Sequence, residues 1–348
     1  MGYFINKLFH FFLPGLLLFA ILLIWYFVLD PFKVIYNKTD YSSSSHVIPN
    51  RDYVSTQKFL NGKDEHKYDS FIFGSSRTLA YNPNVWMKEM GSEGSPFVFD
   101  ASSESIYGIY TKIKFLDSMN VDINNALIII CRDYTFASAS NPSNHLKIKH
   151  PLVSGESLMK FQLAFMKAYF DIKFLSSYYI YITTGYYFSF MHGFINQEKI
   201  ESDPVTNFMQ LIDAESMINS NPDQYYKNNK NKFYCTYDSR GLLIKEVILP
   251  KEELYENNNQ IGDKQLVMLN EIKNILQKNN SNYRLVLHPL LDRKKFSKID
   301  FKTLKDIFDL KLFDFTGKNE YTDSINNFYD WSHCRPLIGD RILESIYN

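Results

Sequence analysis

The sequence predicts an α/β domain with a mostly parallel sheet, carried behind one N-terminal membrane-spanning helix. Short, unbroken apolar runs recur along the chain, and amphipathic stretches separate them, which is the pattern of strands joined by helical crossovers. The uncharged run FFLPGLLLFAILLIWYFVL, from Phe11 to Leu29, predicts the span. Its 19 residues rise about 28 Å as a helix, enough to cross the hydrocarbon layer.

Residues 1–10 then form a short cytoplasmic head, and Trp25 and Tyr26 lie where amphipathic rings favour the interface. No small-x-small cleavage site follows, so an uncleaved anchor is expected. Lys7 precedes the span and Lys33 and Lys38 follow it, so the charge count is nearly balanced. The short head before a large domain favours an inner-membrane, single-pass arrangement with the main domain outside. Residues 30–65 are polar, include Ser42 to Ser45, and read as a juxtamembrane linker with partial order near Tyr53 to Leu60.

The domain proper is expected over residues 66–348. Phe71 to Phe73 is the first buried strand, and Gly74 ends it in a sharp turn. Asn82-Pro83 caps a short helix through Trp86 and Met90. Phe97 to Phe99 is the second strand, and Asp100-Ala101-Ser102-Ser103 supplies a cap for a helix with Ile106, Ile109, Tyr110, Ile113 and Leu116 on one face. Ala126 to Ile130 is the clearest central strand; Leu285 to Leu287 and Leu312 to Phe315 are the fourth and fifth. An amphipathic helix through Leu266 to Leu276 precedes the fourth strand, and a helix from about Pro336 to Ile346 closes the chain.

An aromatic-rich helical and hairpin insertion, at about 140–260, breaks this rhythm and is expected to cover the sheet's C-terminal edge. Its hairpin runs from Phe233 to Tyr237 and from Leu242 to Val247. The uncharged run from Phe174 to Met191 is long enough for a second span, but its hydroxyls and five tyrosines favour a covered or interfacial helix pair.

With 38 basic and 38 acidic residues the chain is neutral and has no basic stripe, so nucleic acid is not an expected partner. Aromatics, 16% of residues, suit cores, carbohydrate or acyl sites and membrane interfaces alike, so composition leaves these open. Cys131, Cys235 and Cys334 make neither a metal pattern nor an even disulfide set; Cys131 and Cys334 are either buried thiols or a pair. No phosphate cradle or metal-ligand cluster stands out, so no cofactor is expected.

Two distant segments carry the chemistry. Gly74-Ser75-Ser76 places hydroxyls at the exit of the first strand, where ligands bind in open α/β sheets. Asp330-Trp331-Ser332-His333 places a carboxylate three residues before a histidine. Asp330 can orient the ring locally and leave its other nitrogen free to activate a serine. A serine early and an Asp-x-x-His late differ from the order in chymotrypsin-like, subtilisin-like and α/β-hydrolase triads. His288, after the fourth strand, points a further imidazole at the same edge.

On these two blocks, over roughly residues 66–348 apart from the insertion, the chain resembles the SGNH (GDSL-type) hydrolase superfamily. Gly74-Ser75-Ser76, the N-terminal span, and Phe328 to His333 followed by Gly339 look most like its membrane-anchored branch. That branch includes the D-alanyl-transfer protein of lipoteichoic acid synthesis and SGNH partners of membrane-bound O-acyltransferases. The resemblance implies a three-layer SGNH-like domain with Ser76 as nucleophile, His333 as proton shuttle and Asp330 as its orienter. It also implies acyl transfer to, or ester hydrolysis from, a cell-surface glycan or glycolipid, with a multi-span acyltransferase as a possible partner. Two blocks depart from the family. Where a glycine should offer an oxyanion N–H, the chain has Ser102 and Ser103; where an asparagine should donate, it has Cys131-Arg132-Asp133-Tyr134. Either Arg132 or Arg77 substitutes, or the site is slow on simple esters and needs its proper acceptor or partner; Asp133 is a further candidate substrate contact. Transfer is the favoured reaction; a polysaccharide esterase and a non-enzymatic scaffold are the alternatives.

Overall fold

The computed structural model describes residues 2–36, 38, 41, 46–196, 201–237, 243–246 and 253–348. Five strands, β1 (Ser70–Gly74), β2 (Pro96–Asp100), β3 (Asn125–Ile130), β4 (Asn282–Leu287) and β5 (Leu312–Asp314), form one parallel sheet in the order β2-β1-β3-β4-β5. The order reverses between β1 and β3, so the exits of these two strands flank the crevice where open α/β sheets bind ligands. Each strand is apolar on both faces because helices cover both. Phe71, Phe73, Phe97, Phe99, Ile128 and Ile130 face one core, and Ile72, Val98, Leu127, Ile129 and Val286 face the other.

The first core is closed by α4 (Ile106–Ser118), α8 (Asp263–Lys278) and α9 (Lys298–Phe308), and the second by α3 (Pro83–Met90) and α10 (Pro336–Tyr347). Between them in sequence lie α5 (Leu158–Tyr169), α6 (Ile172–Thr184) and α7 (Ile212–Ser220). Asn82 caps α3 through Asn84 N at 2.9 Å, and Pro83 opens it.

The linker expectation fails over residues 51–66, which form α2 (Arg51–His66), capped by Asn50. This helix is polar yet mostly buried, because its charges meet partners far away in sequence. Arg51 Nε donates to Asp100 Oδ1 at 3.0 Å, and Asp52 lies 3.0 Å from Lys112 Nζ. Asp100 is thereby occupied, accepting also from Ser55 Oγ at 2.8 Å. It does not cap α4, which begins after Ser105 with no side-chain cap. Gly108, in α4, has a packing role: a Cβ there would meet Glu104 Oε1 at 1.9 Å.

The N-terminal helix α1 (Gly2–Leu29) holds a 21-residue segment, Phe9–Leu29, long and apolar enough to cross a membrane, and only 6% of its most apolar window is buried. Its C-terminal end is welded to the domain. Tyr26, Phe32 and Val34 are buried with Tyr53, Val54, Phe161, Phe165, Tyr169 and Phe174 in a third core. Directly after α1 the Asp30 carboxylate accepts from the backbone N–H groups of Val34, Ile35 and Tyr36.

The uncharged run from Phe174 to Met191 is not one helix: α6 ends at Thr184 and Gly185 caps it at φ 71°. The hairpin pairs Cys235–Tyr237 with Leu243–Glu246; its turn lies outside the described residues. The insertion divides its packing, with α5 and α6 in the third core and Phe208, Ile218, Tyr225 and Phe233 in the second.

Two buried histidines give the fold an acid limit. His150 is 5% exposed, with Nε2 2.9 Å from Gln57 Nε2 and Nδ1 accepting from Leu152 N. Burial, opposed by Asp52, pushes its imidazole down to about 4. Burial also lowers His288, aided by the Arg77 charge. An unfolded imidazole takes a proton near 6.5, so from about 6.5 down to about 4 the folded state binds fewer protons and loses stability. His150 alone accounts for on the order of 2 kcal/mol across that window. Melting temperature is expected to fall between pH 6.5 and 4, and His150→Gln to flatten the fall; parallel curves would show another group responsible.

Candidate active site

β1 delivers the first component. Gly74 lies where β1 passes β3: a Cβ there would stand 3.0 Å from both Ile129 Cβ and Ile129 O, so the close crossing requires glycine. The chain then turns into a short 3-10 helix, Ser76–Ala80, whose cap Ser75 is buried while Ser76 is half-exposed. The second component comes from the segment before α10. Asp330 Oδ1 accepts from Ser332 N (2.7 Å), His333 N (2.9 Å) and Ser332 Oγ (3.0 Å), folding Asp330-x-x-His333 into a tight turn. Tyr329 N donates to His333 O at 2.8 Å and closes the base of that turn. Gly339 lets α10 approach the 3-10 helix, since a Cβ there would meet Ala80 O at 1.7 Å. This backbone contact brings two segments over 250 residues apart to one rim of the sheet.

Ser76 Oγ lies 2.8 Å from His333 Nε2, and His333 Nδ1 lies 2.7 Å from Asp330 Oδ2. The carboxylate fixes the tautomer: with the ring proton on Nδ1, Nε2 is left to accept the Ser76 proton. Burial works against ionisation of Asp330, but His333, the Ser332 N–H and Arg77 together hold its carboxyl well below the usual range. It remains an acceptor at any pH near neutral.

Arg77 is the fourth member. Its Nη1 donates to Ser76 Oγ at 3.0 Å and lies 3.3 Å from His333 Nε2, while its guanidinium stacks 5.2 Å from the Tyr134 ring. Its Nε is buried with no partner among the described residues. A permanent cation therefore lies against both the Ser76 hydroxyl and the imidazole that faces it.

The other sequence candidates are placed differently. Arg132 is not an oxyanion donor. Its five N–H groups go to Asp133 Oδ1, to both oxygens of Asp292 and to Lys294 O, and the side chain is 2% exposed. Asp133 is its counterion. His288 is fully buried, bonded to Tyr81 Oη at 3.0 Å through Nδ1, and reaches no open surface. Ser102 and Ser103 stand half-buried in the turn after β2, at the same sheet edge; the partners of Ser76 Oγ among the described residues are His333 and Arg77. Cys131 and Cys334 are separate buried thiols. Sequence reasoning missed Tyr134 and Ser332, although both lie inside segments it had singled out.

A cleft of about 470 Å³ is lined by neighbours of both site segments, though not by Ser76, Asp330 or His333 themselves. Its lining includes Leu79, three residues after Ser76, and Tyr329, next to Asp330, together with Phe208, Leu211, Glu215 and Arg335. Arg335 Nη2 meets Glu215 Oε2 at 2.7 Å, and Tyr329 Oη donates to Glu215 Oε1 at 2.6 Å.

Fold and site together define a parallel α/β protein that presents a hydrogen-bonded serine, histidine and aspartate at the switch point of its sheet. No protein-family model matches the chain, and no curated protein matches it.

Proposed function

We propose that the chain is a membrane-anchored, SGNH-like serine acyltransferase that modifies a cell-surface glycan or glycolipid. The observation that carries the reading is the Ser76–His333–Asp330 relay, with links of 2.8 and 2.7 Å, and the Arg77 cation 3.0 Å from the same hydroxyl. Ser76 Oγ attacks the carbonyl carbon of an acyl ester or thioester, and His333 Nε2 takes its proton. As the tetrahedral intermediate collapses, the bond to the leaving oxygen or sulfur breaks and His333 returns the proton to it. An acceptor hydroxyl then loses its proton to His333 as it attacks the acyl-serine, and that proton restores Ser76. Arg77 stabilises the oxyanion in both halves. Ser102 or Ser103 supplies a backbone N–H beside it.

The anchor supports transfer over hydrolysis, because a tethered domain meets a membrane-borne donor at high effective concentration. The burial of Tyr26 with the domain supports a retained anchor, since cleavage would strip part of the third core. The cleft beside the relay, with its paired Glu215 and Arg335, suits a polyhydroxylated acceptor.

The test is covalent trapping. A serine-directed fluorophosphonate should label the full-length protein on Ser76, and Ser76→Ala or His333→Ala should abolish the labelling. Folded protein that never labels would leave a scaffold for a membrane acyltransferase. Rapid turnover of small acyl esters in water, unchanged by added glycan, would select an esterase.

A further inference from the structure

The α5–α6 hairpin carries a face that the proposed chemistry does not use. Leu163 is 54% exposed and Ile172 80%, and Leu158, Met159 and Ile182 are also open to solvent. The hairpin lies against α1: Phe170, at its tip, stacks on Phe19 at 4.9 Å between ring centroids, and Tyr179 meets Trp25 at 5.4 Å. Tyr169 meets Tyr26 at 5.0 Å, and its hydroxyl lies 2.7 Å from that of Tyr179.

These contacts fix a depth. Phe19 lies ten residues before the end of α1, about 15 Å of helix rise below Leu29. Between those levels Ile21, Ile24, Phe27 and Val28 are exposed, an apolar surface that belongs in lipid rather than water. If lipid covers that part of α1, it also meets the hairpin packed against it. The charges set the tilt: Lys167, Asp171 and Lys173 flank Phe170 at the tip, level with Phe19, so the hairpin fits only where α1 leans enough to bring that level within reach of the headgroups. Lys160, Lys167 and Lys173 are exposed on long stems that can reach headgroups, and Asp171 Oδ1 caps α6 by accepting from Lys173 N and Phe174 N.

We propose that the α5–α6 hairpin is embedded in the outer leaflet beside α1, with the lipid itself as occupant of its open apolar face. The proposal rests on the anchored reading of α1. It has a consequence for the site. The third core, which joins hairpin and anchor, contains Tyr53 and Val54 of α2; the first residue of α2, Arg51, bonds to Asp100 at the C-terminal end of β2, paired in register with Gly74. Ser76 thus opens at the membrane-facing end of the sheet, so its substrates are molecules presented at the lipid surface.

The experiment places one nitroxide at a time on the full chain carrying Cys235→Ser, reconstituted alone in phosphatidylglycerol–phosphatidylcholine nanodiscs. The remaining thiols, Cys131 and Cys334, are buried. The labelled variants are Leu18→Cys on α1, Ile172→Cys on the hairpin and Leu310→Cys, before β5 at the opposite edge of the sheet. Collision with oxygen, which partitions into lipid, is compared with collision with an aqueous nickel chelate. The 172 label is expected to favour oxygen several-fold, as the 18 label does, while the 310 label favours nickel. Position 18 in lipid with 172 in water overturns the embedded hairpin and leaves the anchor standing. A 172 label shielded from both reagents overturns it in favour of a protein contact. Position 18 in water overturns both.

Discussion

Replacing Arg77 by methionine is expected to lower the rate of acyl-serine formation about 10²–10³-fold, the usual effect of removing one oxyanion donor. Two unit charges about 4 Å apart attract by roughly 4 kcal/mol at an effective dielectric near 20. Arg77 Nη1 is already 3.0 Å from Ser76 Oγ, so a cation fixed there can supply an effect of that size without reorganising. Because the charge it opposes exists only in the transition state, the loss should fall on kcat and spare KM. Arg77→Lys should recover part of the rate: it keeps the charge but loses the planar contact with Tyr134. Fluorophosphonate labelling kinetics and steady-state transfer check this together. A rise in KM with kcat unchanged would instead make Arg77 a ground-state anchor for an anionic substrate.

How much of this was legible beforehand depended on whether a residue's partner was local. Phe71 to Phe73 and Ala126 to Ile130 announced strands because a strand buried on both faces is apolar throughout, whatever lies around it. Asp330 and His333 were readable as a pair because three residues in one turn suffice to join them. The polar helix α2 was misread as linker for the opposite reason. Arg51 and Asp52 look solvated in sequence, and their burial depends on Asp100 and Lys112, which only the tertiary fold supplies. Arg132 failed similarly: one residue's position in the third block resembles a donor site, but Asp292, 160 residues on, claims its guanidinium. Arg77 is the candidate for the role left open because it sits one residue from Ser76, and the turn that exposes Ser76 aims it back across the same hydroxyl.

Lys112→Met is expected to destabilise the domain by about 3–5 kcal/mol, the range for breaking a buried ion pair from one side. Lys112, Lys149, Asp52 and Glu104 are 0–2% exposed and sum to zero charge. Lys112 Nζ lies 3.0 Å from Asp52 and 2.5 Å from Glu104, and donates to Asp100 O at 2.9 Å, while Lys149 bridges the same two carboxylates. Removing one ammonium leaves an uncompensated negative charge out of reach of water. Lys112→Met combined with Glu104→Gln restores neutrality and should regain part of the loss, which chemical denaturation of the single and double variants would measure. A single variant that loses less than about 1 kcal/mol would mean that solvent reaches the cluster. The cluster joins α2 to α4, and α2 in turn holds Asp100 through Arg51 and Ser55. Thr78 Oγ1, two residues past Ser76, donates to that same carboxylate at 3.4 Å. The variant should therefore lose fluorophosphonate labelling in parallel with its folded fraction on warming, and label normally at low temperature where it remains folded. Loss of labelling before unfolding would assign the cluster a direct part in positioning Ser76.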